Sequence, residues 1–192
     1  MPAHSRMRAV RRSYTLIELI IVMVVLALAA ALLVPHLVGP DLLKAQAAVR
    51  LIIADLSYAQ ADALANQEYR RVHFYPDGRG YCLVRITSTE LAQPFDPLTA
   101  EYLVDPLGAL RDYIVDFTID NRFKGVAIEA TSTIDTVSII PDGTDITYDA
   151  LGGTIRSDGN AGTGGVIVVF FDDERYEIAI SGFTGKLTVK KL

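Results

Sequence analysis

Three hydrophobic patterns follow one another along the chain. From Leu19 to Val34, sixteen consecutive residues carry no charge. That run exceeds the apolar core of a secretory signal and falls slightly short of a free-standing membrane span. Pro35, Gly39 and Pro40 then interrupt it with residues that weaken a helix. Beyond them the pattern becomes amphipathic. Leu42, Val49, Ile52, Ile53, Leu56, Ala59 and Ala63 recur at three- and four-residue steps, while Lys44, Gln46, Arg50, Asp55 and Asp62 fall mainly off that face. The spacing predicts one helix over residues 14–66, ~80 Å long at ~1.5 Å per residue, kinked near Pro35 to Pro40. Its second half needs a sheet to pack against, with Val49, Ile52, Ile53 and Leu56 at the contact.

From Tyr69 onward the period shortens to two. "YRRVHFYPDGRGYCLVRIT" reads as two strands joined across Pro76, Asp77 and Gly78. "DYIVDFTI", "GVAIEA" and the stretch near Ile146–Tyr148 read as further short strands. "GVIVVFFDDERYEIAISGFTGKLTVKKL" gives three more, broken at Asp172 to Glu174 and at Gly182 to Gly185. Between Ser88 and Asp112, prolines at 94, 97 and 106 indicate loop, with a short helical turn expected over residues 106–111. The expected architecture is α+β, a long N-terminal helix packed on an antiparallel sheet domain. Its boundaries are a basic segment over residues 1–13, a helix over 14–66 whose first part (14–38) spans a membrane, and a β-rich globular domain over 67–192.

Charge sharpens this division. Arg6, Arg8, Arg11 and Arg12 precede Ser13, and no acid does. Removing those four from the eighteen basic residues leaves fourteen against twenty-three acids, a balance of −9 after Ser13. A basic head, an apolar run and an acidic body predict membrane insertion with the short N-terminus in the cytoplasm. The acidic body disfavours general affinity for nucleic acid. One cysteine, Cys82, permits no intrachain disulfide, and three scattered histidines show no zinc-ligand spacing.

Glu18 stands at the head of the apolar run, where a carboxylate is costly. A cleaved secretory signal and a plain anchor both leave it unexplained. The sequence Ser13-Tyr14-Thr15-Leu16-Ile17-Glu18, followed by an apolar helix and Pro35, resembles the class III leader of type IV pilins and type II secretion pseudopilins. The usual form there is Gly-Phe-Thr-Leu-Ile-Glu, so Ser13 replaces the glycine and Tyr14 the phenylalanine. The resemblance implies cleavage between Ser13 and Tyr14 by a prepilin peptidase, methylation of the Tyr14 amine, and a docking role for Glu18. Three further stretches are similar to the GspH/FimT group of minor pseudopilins: "LSYAQADALANQ", "ITYDALGG" and "YEIAISGFTGKLTV". The resemblance implies a non-catalytic subunit that needs no cofactor and acts in filament initiation and protein export. Its partners would be other pseudopilins or pilins, the peptidase and an inner-membrane assembly platform, with a single pass through the inner membrane and the C-terminal domain periplasmic or extracytoplasmic. The alternative is a FimT-like minor pilin that binds DNA during natural transformation, for which Lys186, Lys190 and Lys191 are the candidate phosphate contacts.

Other chemistry finds less support. Ser181 and His73 with a nearby aspartate lack the nucleophile-elbow spacing, so no catalytic residue is assigned. Asp142, Asp145 and Asp149, or Asp158 and Asn160, are the oxygen-rich candidates for calcium, without an EF-hand pattern. Solvated turn acids are the expected reading, as for Asp172, Asp173 and Glu174. The glycine-rich stretch from Gly159 to Gly165 precedes a strand rather than a helix. It reads as a flexible loop and not a phosphate cradle. Cys82, in an alternating strand, reads as a small core residue.

Overall fold

The computed structural model describes residues 15–37, 40–108, 111–131 and 145–192. The chain divides into two units, one ending at Gly39 and one running from Pro40 to Leu192. In the first unit, α1 runs over Leu16–Leu37. Its apolar side chains, among them Ile20, Met23 and Leu26, are exposed all round the helix. Among the described residues of this unit, none covers them. Among the described residues no helix is long and apolar enough to cross a membrane.

The second unit begins with α2, Pro40–Asn66. Proline suits the first helical position, where its missing donor is not needed. Six strands form the first antiparallel sheet: β1 (Tyr69–Phe74), β2 (Gly80–Ile86), β3 (Glu101–Tyr102), β4 (Ile114–Asp116), β6 (Asp145–Tyr148) and β7 (Thr154–Ile155). Their order is β3-β2-β1-β6-β7, with β4 also paired to β2. The second sheet holds β5 (Ala127–Thr131), β8 (Gly164–Phe171), β9 (Glu174–Ser181) and β10 (Leu187–Lys191), in the order β10-β9-β8-β5. The sequence predicts the strands but not their division into two sheets. The cross-strand partners lie far apart in the chain, and only three-dimensional pairing sorts them.

α2 lies across both sheets, against β1, β6, β8 and β9. Its buried face is Ala45, Ala48, Val49, Ile52, Leu56, Ala59 and Ala63. Opposite it stand Val72, Phe74, Tyr81, Leu83, Ile146 and Tyr148 from the first sheet and Ile167, Val169, Ile178 and Ile180 from the second. Each fully buried side chain of this kind contributes about 1.5–3 kcal/mol. Two assignments from the sequence are corrected here. Ile53 is only partly buried, on the flank of the stripe. Asp55, read as off the face, is 4% exposed within it.

The reverse face of the first sheet is also covered. Cys82, Val84 and Ile86 pack with Leu91, Ile155 and the half-buried Phe95 under the segment from Thr87 to Ala100. That explains why β1 is buried at five of its six positions, including Arg71 and His73.

The glycine-rich stretch is not the loose loop expected. Gly162 N–H donates to Thr154 O at 2.7 Å, and Thr154 N–H donates to Gly182 O at 2.9 Å. A Cβ at Gly162 would lie 2.3 Å from Thr154 Oγ1. The glycines therefore form a seam that joins the edge of the first sheet to the β9–β10 turn. In the segment around Pro106, residues 106–108 form a turn, and residues 109–110 lie outside the described residues.

Candidate functional site

At the head of α1, Thr15 precedes the first helical residue. Its Oγ1 accepts a hydrogen bond from Glu18 N–H at 3.3 Å, and Leu19 N–H donates to Thr15 O at 3.2 Å. Thr-x-x-Glu in this position is the pattern of a capping box, in which the hydroxyl satisfies one of the orphan amides of the first turn. Glu18 is exposed, and an acid in the first turn also favours the positive end of the helix dipole. Ser13 and Tyr14, the expected cleavage and methylation residues, lie outside the described residues.

Among the described residues of the domain are two buried polar clusters that sequence reasoning missed. In the first, Asp55 accepts from Tyr81 Oη at 2.5 Å and from Tyr113 Oη at 2.9 Å. Burial raises the Asp55 pKa above the ordinary carboxylate value. The two phenol hydrogen bonds oppose that shift, and the charge of Asp105 adds to it. The Tyr81 phenol is driven well above its usual value by burial and by Asp55, so it stays a donor. In the second cluster, His73 Nδ1 lies 2.5 Å from Asp145 Oδ1, and Arg71 Nε lies 3.6 Å from Asp145 Oδ2. Arg71 also donates to the carbonyls of Glu90, Leu91 and Gln93 at 2.9–3.1 Å, and Phe95 stacks on His73 at 4.1 Å. This second cluster clamps the 87–100 segment onto the sheet. The available signal was the pair of charged residues alternating with Val72 and Phe74 in β1, a strand too apolar to have an open face.

Neither cluster is an evident reaction centre. His73 is committed to Asp145 on the first sheet, whereas Ser181 is exposed at the end of β9 on the second. Ser181 and His73 are therefore not brought together. Burial pushes the Cys82 thiol up to about 12, so it stays protonated as a core residue. Among the calcium candidates, Asp149 accepts from Leu151 and Gly153 N–H and Asp158 from Asn160 N–H, each closing its own turn. Asp142 lies outside the described residues. Among the described residues, no three His, Cys, Asp or Glu side chains converge as a metal site would require. The three lysines of the C-terminus are separated. Lys186 precedes β10, and Lys190 and Lys191 lie at its other end, with Lys191 held by Glu174 at 2.7 Å.

Residues 8–34 match the family described as the prokaryotic N-terminal methylation motif. No curated protein sequence matches the chain. Among solved structures, the fold is similar to the minor pseudopilin EpsH from the type 2 secretion system of Vibrio cholerae. The match has a TM-score of 0.50 at 10% identity and covers 77% of this chain and 97% of that one. The type IV minor pilin FimU of Pseudomonas aeruginosa PAO1 matches with a TM-score of 0.45 at 16% identity, covering 76% and 91%. The chain thus combines the N-terminal methylation motif of prepilin-like proteins with a pilin-like fold, a helix on an antiparallel β domain.

Proposed function

We propose that this chain is a minor, non-catalytic subunit of a type II secretion or type IV pilus-like machine, working by assembly into a short filament. The observation that carries the reading is the conjunction of two independent features. One is the methylation motif over residues 8–34, and the other is a domain with the fold of EpsH. In this reading a prepilin peptidase removes residues 1–13 between Ser13 and Tyr14, and the new Tyr14 amine is methylated. Residues 14–38 hold the protein in the inner membrane, residues 14–66 form the spine, and residues 67–192 face the periplasm. Glu18 docks the subunit against its neighbours. The partners are other pilins or pseudopilins and the assembly platform that extracts the subunit from the membrane.

N-terminal peptide mass analysis of the protein extracted from native membranes tests this reading. The expected species begins at Tyr14 and carries one extra methyl group. A mature chain beginning near Val38 would mean an ordinary secretory signal and would remove the filament role. An intact Met1 terminus would mean that the leader is not processed.

A further inference from the structure

Residues 87–100 form a loop whose two ends are pinned side by side. It leaves the first sheet at the end of β2 and re-enters it at β3, where Arg85 and Glu101 are cross-strand neighbours joined by an ion pair at 2.5 Å. A loop with adjacent ends can swing without disturbing the strands that hold it. It also keeps its own shape. Thr87 N–H donates to Glu90 Oε2 at 2.7 Å, Gln93 N–H to Glu90 O at 3.0 Å and Ala100 N–H to Asp96 O at 3.0 Å. Its hold on the sheet is narrow. Among the described residues, no backbone–backbone hydrogen bond joins 88–100 to either sheet. Leu91 is the one buried side chain of the loop, and Phe95 is half-buried on His73. The remaining hold is the Arg71 guanidinium, which donates to the carbonyls of Glu90, Leu91 and Gln93.

The face beneath the loop is unlike a core. The strand register sets His73 between Cys82 and Asp145, and Arg71 between Val84 and Thr147. A polar stripe therefore runs through the middle of an otherwise apolar face. Apolar residues at 71 and 73 would glue down a permanent cover at least as well, because a buried charge pair offsets its desolvation only in good geometry. Arginine, histidine and aspartate instead make a face that water can also solvate. The three loop carbonyls exchange Arg71 for water when they leave, at a small net cost. Such a face tolerates both a covered and an uncovered state.

We propose that residues 87–100 are a hinged strap latched by Arg71, which opens as a unit while both sheets stay folded and bares the face that carries Cys82, Val84, Ile86 and Ile155. Opening of this kind is sub-global, set by the contacts of the strap alone and not by the stability of the domain. The open form presents a second, partly apolar surface that the closed form hides. The inference stands apart from the filament reading and does not depend on it.

Cys82 reports on the strap, being the only cysteine of the chain and fully buried beneath it. The full chain in detergent micelles is labelled with a small thiol reagent over a urea series below the unfolding transition. Strap opening exposes little surface, so the labelling rate should stay nearly flat at low urea and climb steeply only as global unfolding takes over. Phe95→Ala should speed labelling without urea about tenfold or more. Arg71→Lys keeps the charge but loses the fork that reaches three carbonyls, and should speed it too. Leu56→Ala weakens the core on the other face of the sheet and should leave that rate at the parental value. A rate that follows the slope of global unfolding at every urea concentration would overturn the proposal. So would acceleration by Leu56→Ala of about thirtyfold or more, the factor by which it raises the unfolded population. Either result would mean that Cys82 is reached only by unfolding the domain. Parental rates in both Phe95→Ala and Arg71→Lys would overturn it as well, because the reagent would then enter by a route that the strap does not guard.

Discussion

Tyr81 Oη lies 2.5 Å from Asp55 Oδ2, and this bond carries the phenol of a buried strand residue to an acid buried in the packing face of α2. The carboxyl is raised above its ordinary value of 3.8, chiefly by burial. A raised folded-state pKa means that the native protein binds this proton more tightly than the unfolded chain. Asp55 therefore opposes folding more strongly as pH rises from the unfolded value through the folded one, and its effect is constant above that. The expected outcome is that parent stability, relative to Asp55→Asn, declines as pH rises above about 4. Urea unfolding of both proteins over a pH series measures it. A parent that gains on Asp55→Asn as pH rises would show that the phenol hydrogen bonds outweigh the burial.

The stripe on α2 gives a sharper pair. Leu56 is fully enclosed, whereas Ile53 is partly buried on the flank. Leu56→Ala should cost about 2–5 kcal/mol of stability, and Ile53→Ala distinctly less, because a partly exposed site leaves no closed cavity. Thermal unfolding of the two variants checks the order; a larger loss at Ile53 would put the wrong residue at the centre of the face.

The same helix shows what the sequence could and could not convey. Three- and four-residue spacing found Val49, Ile52, Leu56, Ala59 and Ala63 of the buried stripe but not Ala45 or Ala48, and the period of two found eight of the ten strands. β3 and β7 escaped because two residues are too few to display a period. Asp55 was misplaced because hydrophobicity ranks a carboxylate as outward, and its partners stand 26 and 58 residues further on. Arg71 and His73 escaped for the same reason, since Asp145 is 72 residues from His73. The methylation motif over residues 8–34 was legible because its parts are contiguous in the chain.

Gln60 joins the two sheets from the helix. Its side-chain amide nitrogen donates to Gly152 O at 2.6 Å, in the β6–β7 turn, and to Thr184 O at 2.9 Å, in the β9–β10 turn. Gln60→Ala should cost about 1–3 kcal/mol, the penalty for carbonyls left without a donor. Gln60→Glu should cost at least as much at neutral pH, because a carboxylate facing two carbonyl oxygens can only accept. It should recover part of the loss in acid, where the protonated group donates again. Equal stability of the glutamate variant at both pH values would mean that the amide donates nothing essential.

Thr15 sets where α1 starts. Its hydroxyl oxygen accepts from Glu18 N–H, so Thr15→Val should fray the first turn at a cost of about 1 kcal/mol, while Thr15→Ser should not. Amide exchange at Ile17 and Glu18 in detergent micelles reads the difference. Identical exchange in both variants would show that the cap contributes nothing.

Glu18 itself carries the last prediction, which rests on the proposed membrane placement of residues 14–38. An ionised carboxylate within lipid costs about 2.5–3.5 kcal/mol on insertion scales. The cost is tolerated where a partner offsets it, and a cation is the partner that suits a carboxylate at low dielectric. Cleavage at Ser13 would create one, because the free α-amine has a reference pKa of about 7.7–8.0 and is largely protonated at neutral pH. Glu18 of one subunit can pair with the amine of its own chain or of the next, and pairing between chains would fix their axial register. Glu18→Ala should therefore insert into membranes as well as the parent or better, since the desolvation cost is gone, yet enter the assembled machine poorly. Glu18→Gln keeps the hydrogen-bonding shape without the charge and should resemble the alanine variant if the ion pair is what docks the subunit. Membrane fractionation, run beside cross-linking to partner pilins, separates insertion from assembly. Partner cross-links at parental levels in Glu18→Ala would remove the docking role and leave the acid as part of the Thr15 cap alone.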